Sequence, residues 1–101
     1  KTNILVLRFL TKFKNQFFSS DEIAKEVKAG LRNVYDALNI LNYEGIIKKE
    51  FRNRKNHYKF IPDTYIKEII DNLFEEERKR IPIQNMQYYK IISEIESEIE
   101  N

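Results

Sequence analysis

The spacing of the apolar residues changes at Gly45, and this change restricts the chain to a mixed fold. Before Gly45, apolar residues recur every three or four positions, as on one face of a helix. From residue 46 to residue 61 they alternate with polar residues, as in a strand. After Pro62 the helical spacing returns. Two Gly and two Pro in 101 residues exclude an all-β fold rich in tight turns, so we predict a mainly α fold of the α+β class with one β-hairpin.

Three helices are predicted before the change of spacing. The first has its apolar side chains at Val6, Phe9, Leu10 and Phe13. The second begins at Ser19, which can cap the first turn, and Glu22 follows three residues later as in a capping box. We expect Gly30 to end this helix in the left-handed conformation. The third helix ends at Gly45 and has its apolar stripe at Leu31, Val34, Leu38 and Leu41.

A hairpin is predicted after Gly45. The β-prone segments IIKKEF and HYKFI are joined by the polar segment RNRKN, a connection of the length that hairpins use. Tyr58 and Phe60 alternate onto one face of the second strand, which we assign to the core. His57 and Lys59 then lie on the opposite face.

Two further helices are predicted after the hairpin. The first has apolar side chains at Ile66, Ile69, Ile70, Leu73 and Phe74, and Pro82 ends or kinks it. The second has a short seam with heptad-like spacing. A core of about 60 residues is expected to be too small to cover both stripes. We therefore predict that the seam forms a homodimer interface of Tyr88, Ile91, Ile92, Ile95 and Ile99.

Charge is divided unequally along the chain. Residues 1–62 hold thirteen basic and six acidic side chains, and residues 63–101 hold five basic and ten acidic ones. This asymmetry predicts a first part that meets a polyanion and a second part that does not.

Several classes of protein are excluded or disfavoured by composition. The chain has no Cys and one His, which excludes a disulfide scaffold, a thiolate zinc site and any metal motif with two His. No Ser–His–Asp set, Gly-rich phosphate loop or catalytic pair of carboxylates is visible, so we expect neither an enzyme nor a cofactor, metal or small-molecule ligand. The longest apolar runs are too short to span a membrane, and no signal peptide is seen, so cytoplasmic residence is expected.

The order of these elements and several motifs resemble the winged helix-turn-helix family. The motifs are Ser19 with Glu22-Ile23-Ala24, the segment NVYDALNILNYEGII, and Tyr58 in the return strand. The segment looks most like the recognition helix of TrmB-type, PadR-type or MarR-type regulators, and the resemblance covers residues 2–61. It implies a winged helix-turn-helix domain in residues 1–62, with a two-stranded wing. The apolar seam described above then makes residues 63–101 the C-terminal dimerisation helices. The implied function is transcriptional regulation, with a homodimeric repressor from an archaeon or a virus as the simplest form.

Two sets of side chains are the candidates for contact with double-stranded DNA. A helix fits the major groove, where Arg pairs with guanine and Asn with adenine. The third helix offers Arg32, Asn33, Asp36, Asn39 and Asn42. Cations on a hairpin suit phosphate groups, and the predicted wing offers Arg52, Asn53, Arg54 and Lys55.

Two other functions remain open from the residues alone. The same module serves in plasmid or viral proteins of DNA segregation or replication, and repeated binding sites with spreading along DNA would favour that function. Some winged helices bind proteins instead. Failure to bind heparin or random duplex at low salt would favour such an interaction module.

Overall fold

The computed structural model describes residues 2–62, 66–79 and 86–100. Its elements in chain order are α1 (Thr2–Lys12), β1 (Phe18–Ser19), α2 (Ser20–Val27), α3 (Leu31–Tyr43), β2 (Ile47–Arg52), β3 (Lys55–Phe60), α4 (Ile66–Arg78) and α5 (Met86–Glu100). The three strands form one antiparallel sheet in the order β1-β3-β2. The prediction of a mainly helical α+β fold with a hairpin is confirmed.

The start of α2 is the predicted capping box. The Glu22 amide donates to Ser19 Oγ over 3.2 Å, and the Ser19 amide donates to Glu22 Oε1 over 2.9 Å. This second hydrogen bond is the main cause that lowers the pKa of the Glu22 carboxyl. Two amides that an isolated helix end would leave without partners are therefore satisfied within four residues.

The end of α2 differs from the prediction at Gly30. Lys28 takes the left-handed conformation with φ 55°, and its amide donates to the Ala24 carbonyl. Gly30 has φ −64° and is the N-cap of α3. The chain has already turned at Lys28, so Gly30 only leads into the next helix. Gly45, predicted as the stop of the third helix, follows the end of α3 at Tyr43 and has φ 78°.

The wing is larger than the predicted two-stranded hairpin. β1 pairs with β3, Phe18 opposite Tyr58 and Ser19 opposite His57. The turn between β2 and β3 is also shorter than predicted, since Arg52 and Lys55 are paired across the strands. Asn53 and Arg54 alone form it, with φ 50° and 66°, the conformation that two-residue hairpin turns need.

One apolar core contains side chains from both ends of the chain. Ile92 and Ile95 of α5 are 2% and 0% exposed, in the same core as Leu7 of α1 and Phe74 of α4. The premise that the winged-helix core cannot cover the seam of α5 is therefore wrong. The apolar face of α1 packs against α3 and α5 together, which buries Ile92 and Ile95 within their own chain.

The other predicted interface residues are less buried. Ile91 and Ile99 are half-buried at the edge of the core. The side chain of Tyr88 lies outside what the structure describes, as do Pro82 and the break predicted there. Dimer formation through this helix stays a prediction, with Ile91 and Ile99 as the side chains that a second copy can reach.

Candidate nucleic-acid interface

α3 is amphipathic, and its polar face is open to solvent. Apolar side chains of the helix are buried at Val34, Ala37, Leu38 and Leu41. On the opposite side, Arg32, Asp36, Asn39 and Tyr43 follow one another at intervals of four, three and four residues, and all are exposed. Residues at these intervals are neighbours on a helix surface, so the four side chains form one line. We call these four residues the α3 line.

The structure separates the five predicted residues of α3. Arg32, Asp36 and Asn39 belong to the α3 line. Asn33 is exposed on its flank, and Asn42 is half-buried beside the core-facing side. The sequence prediction grouped all five because it counted polar residues. The helical period alone separates Asn42 from the rest.

Large apolar side chains on α3 were missed by the sequence analysis. Tyr43 is 89% exposed at the end of the α3 line, and Tyr35 and Ile40 are exposed on either side of it. Tyr35 lies toward the wing. Burial raises the pKa of the Tyr58 phenol, and the nearby Tyr35 is the smaller cause of that rise. Tyr43 follows Asn39 at four residues and Asp36 at seven, and this helical spacing could have placed Tyr43 on the same exposed line.

The predicted wing residues lie in two different places. Asn53 and Arg54 form the exposed turn. Arg52 and Lys55 are paired strand residues one position before and after it. Since side chains alternate along a strand, Arg52 and Lys55 project from the face opposite the core residues Tyr58 and Phe60.

Arg52 and Lys55 already have acidic partners. Arg52 Nε donates to Glu50 Oε1 over 2.8 Å, and Lys55 Nζ donates to Asp21 Oδ2 over 3.2 Å. The hydrogen bond from Arg52 is the main cause that lowers the pKa of the Glu50 carboxyl. Within the described ranges, Arg32 and Arg54 form no ion pair, so both guanidinium groups are available to an anionic ligand.

An open groove of about 830 Å³ lies between α1, α2 and α5. Its floor is apolar, with Phe9, Phe13 and Val27, and its rim carries both signs of charge, as at Lys12 and Glu26. The mixed rim favours no class of ligand.

In the part of the chain that the structure describes, no set of three His, Cys, Asp or Glu side chains is grouped to hold a metal ion. None of the described helices is long and apolar enough to cross a membrane.

Known proteins share this architecture. The model of the E-two-F/DP family winged-helix DNA-binding domain matches residues 3–62. The chain is similar to the structure of a possible transcriptional regulator from Methanosarcina mazei Go1, with 18% identity, a TM-score of 0.65, and coverage of 79% of this chain and 71% of that one. It is also similar to S. aureus MepR in a complex with DNA, with 18% identity, a TM-score of 0.55, and coverage of 94% of this chain and 76% of that one. A mutant of Lactococcus lactis ZitR in apo form is similar as well, with 16% identity, a TM-score of 0.54, and coverage of 98% of this chain and 79% of that one. A comparison with curated protein sequences gives no match. The predicted winged-helix fold is confirmed.

Proposed function

Since the chain belongs to the E-two-F/DP family of winged-helix DNA-binding domains, we propose that it is a sequence-specific regulator of transcription that binds double-stranded DNA as a homodimeric repressor. In this proposal α3 enters the major groove and the wing contacts the backbone beside it. The protein acts by binding DNA and not as an enzyme, and the expected cytoplasmic residence remains a prediction.

The α3 line is the observation that carries the proposal. Its four side chains run the length of a helix of 13 residues, and the opposite side of that helix is fixed in the core. Arg32 lies near the beginning of α3, the end by which recognition helices usually reach the bases. A guanidinium group pairs bidentately with guanine, and the Asn39 amide can pair with adenine. The α3 line therefore has side chains that can recognise both kinds of base pair.

The turn of the wing supplies the contact outside the groove. Asn53 and Arg54 are exposed at the end of the hairpin, and Arg54 has no acidic partner among the described residues. A cation at this position suits a phosphate group or a narrow minor groove, where it strengthens binding to any sequence.

The homodimer and the repressor role rest on symmetry and on the surface of α5. Two-fold pairing is the commonest assembly of soluble proteins, and it matches palindromic operators. Ile91 and Ile99 leave part of the α5 surface apolar. A repressor can act by occupying a promoter, without a surface that recruits another protein. The buried side chains of α4 and α5 belong to the core of their own chain and offer no such surface.

Selection of bound duplexes from a random pool, followed by sequencing, tests the proposal. We expect a palindromic consensus with half-sites about 10 bp apart, or a multiple of that, centre to centre. A single unrepeated half-site would contradict the homodimer. No enrichment, together with no retention on heparin at low salt, would contradict DNA binding and favour a protein-interaction module.

Two matched variants separate the reading of bases from contact with phosphates. Arg32→Ala is expected to weaken binding to the selected site by about 1–3 kcal/mol and to relax the preference at one base pair. Arg54→Ala removes the same group from the wing. It is expected to weaken binding to all duplexes alike and to lower the salt dependence by about 1 unit. If both variants lose affinity equally on selected and random duplexes, Arg32 contacts phosphate and not a base.

A further inference from the structure

A large apolar ring stands in solvent near the end of the wing. The face of the hairpin that packs on the core has Tyr58 and Phe60 buried close to the helices. The same face continues toward the turn in Phe51, which is paired with Asn56 in the second cross-strand pair from the turn. The Phe51 side chain is 70% exposed, and among the described residues its ring contacts no other aromatic ring and no cation.

An exposed ring at this position is a disadvantage to the free protein. β2 is an edge strand, because the strand order is β1-β3-β2. An apolar side chain on an exposed edge promotes pairing with other chains, and it adds no stability while its surface stays in water. Phe17 shows the contrast, since its ring is covered by the Arg52 guanidinium at 4.2 Å. The exposure of Phe51 is therefore best explained by a partner that covers the ring.

The surroundings of Phe51 indicate which partner this is. The residues on its face, from the strand register, are Ile47, Lys49, Phe51, Asn56, Tyr58 and Phe60, and none of them is acidic. Lys49 and the turn residue Arg54 are exposed and form no ion pair among the described residues. Proteins that insert an apolar side chain between base pairs combine it in this way with cations and amide groups that meet the minor groove.

We propose that Phe51 is a wedge that enters the minor groove beside the site of α3, separates two stacked base pairs and kinks the duplex there. The proposal rests on the proposed function and adds to it a distortion of the DNA by one named side chain. Asn56 lies directly opposite Phe51, where its amide can donate to N3 of adenine or O2 of thymine on the floor of the groove.

The width of the hairpin favours a wedge over simple contact. The minor groove of straight DNA is about 6 Å wide. Two paired strands are already about 4.8 Å apart before their side chains are counted. A hairpin therefore fits this groove only where it is widened. Unstacking of a base step by an apolar side chain bends the duplex toward the major groove and opens the minor groove at that step.

The same two residues predict the base step. Pyrimidine–purine steps are the most easily unstacked, so the wedge costs least at TA or CA. The Asn56 amide finds acceptors at every A·T pair, whereas the amino group of guanine projects into the groove at a G·C pair. We therefore expect a TA step beside each half-site, at a position that α3 does not contact.

Bending and unstacking of the selected duplex test the proposal with the full chain. Energy transfer between dyes at the duplex ends is expected to show a kink of roughly 20–90° in the wild-type complex. Permanganate, which attacks thymines that have lost their stacking, should react at one step outside the half-site. Phe51→Ala should lose most of the bend and the reactivity and bind several-fold more weakly. Phe51→Leu keeps an apolar wedge and should keep both signals.

A change in the DNA gives the matching measurement. Replacement of the reactive TA step by AA makes the step stiffer without a change in base-pair type. Affinity of the wild-type protein should fall about tenfold. Phe51→Ala should bind both duplexes with the same affinity, because it inserts nothing between the base pairs.

Two controls separate the wedge from folding. Phe51→Ala should unfold at the wild-type Tm, since the ring it removes lies mostly in water. Phe13→Ala removes a partly exposed ring from the end of α1, away from α3 and the wing. It should keep the bend and the preference for TA over AA, although its contacts with Phe9 and Phe18 make some loss of Tm expected.

Three outcomes would overturn the proposal. One is tight binding by the wild-type protein to a duplex that stays straight and unreactive, which would leave the proposed function intact. Another is a bend and a TA preference that Phe51→Ala retains. The third is self-association of the free wild-type protein that Phe51→Ala abolishes while the bend persists, which would show that a second copy covers the ring. If the wild-type protein binds no duplex at all, the proposed function fails and the wedge with it.

Discussion

The winged-helix part and the two C-terminal helices share one apolar core but use their charges in opposite ways. Among the described part of residues 1–62, cations without an ion pair include Arg32 of the α3 line and Arg54 at the turn of the wing. Several acidic side chains of α4 and α5 are paired with basic ones, either within the same helix, as Glu75 with Arg78, or on another helix. Examples are Glu94 with Arg8 of α1 at 3.3 Å, and Glu100 with Lys67 at 3.2 Å.

This difference shows that the basic and acidic parts of the sequence do not form two separate surfaces in the fold. Glu94 of α5 offsets the charge of Arg8 in α1, and Lys14, two residues after the end of α1, donates from Nζ to the Glu98 main-chain carbonyl over 2.8 Å. Among the described residues, Arg32 of α3 and Arg54 of the wing form no ion pair, and neither do Lys12, Lys25 and Lys28 of the first two helices and their ends. The C-terminal helices act as a cover for the core and a set of counter-ions for α1, whatever they do toward a second copy.

The strongest test of this comparison is Ile95→Ala. Ile95 is fully buried, so the change leaves a cavity, and it is expected to lower the free energy of unfolding by roughly 2–5 kcal/mol. Leu38→Ala, a buried site in α3, should cost a similar amount, and the half-buried Ile91→Ala should cost clearly less. Urea denaturation followed by fluorescence and circular dichroism measures all three. A loss that appears only at high protein concentration would mean that α5 packs against a second copy.

Ser19→Ala tests the winged-helix part alone. It removes the oxygen that accepts from the Glu22 amide, and a lost N-cap costs about 1 kcal/mol. Ser19→Asp keeps an acceptor and serves as the control, with a much smaller loss expected. Thermal unfolding of the three proteins checks this. Equal losses in both variants would show that the hydrogen bond accepted by Ser19 Oγ is not what stabilises the start of α2.

The ion pairs of α5 are expected to contribute less. Arg8 and Glu94 are partly exposed, so their interaction should be about 0.2–1 kcal/mol in a double-mutant cycle with Arg8→Ala and Glu94→Ala. Added salt should reduce it further. A coupling that is large and unchanged by salt would mean that the apolar part of Arg8 packs against α5.

The smallest expected effect is an acid-dependent loss of stability from Glu22. Its pKa is lower in the folded protein than the ordinary value of 4.5, so it stabilises the fold above that value. This contribution should be lost as the pH falls through the lowered pKa. In Glu22→Gln the corresponding decline should be absent. Stability curves of both proteins between pH 6 and about pH 3 measure the difference; parallel curves would contradict it.

Local patterns were sufficient to predict much of the fold. The capping box at Ser19, the stop at Gly45 and the alternation of Tyr58 and Phe60 depend on residues close in sequence. β1 was missed because it has two residues and forms only by pairing with β3. The burial of Ile92 and Ile95 was missed because an apolar stripe has the same spacing whether it packs on its own chain or on another.

The candidate site was predictable to a similar extent. The exposure of Arg32 and Asn39 follows from the helical period. The position of Arg52 and Lys55 outside the turn could not be predicted from the helical period. It depends on a two-residue turn with positive φ at Asn53 and Arg54. The Gly that usually indicates such a turn is absent. A turn of five residues and a turn of two place the same cations on different surfaces.

The packing of α1 against α5 also determines when folding can finish. Arg8 and Glu94 are 86 residues apart, so the apolar face of α1 lacks part of its cover until α5 has been synthesised. At about 5–20 residues per second, the stretch from Pro62 to the end of α5 takes roughly 2–8 s to make. Through that interval the nascent chain exposes the side of α1 that α5 later covers. We expect the ribosome-bound chain to be a substrate for chaperones up to the moment that α5 emerges.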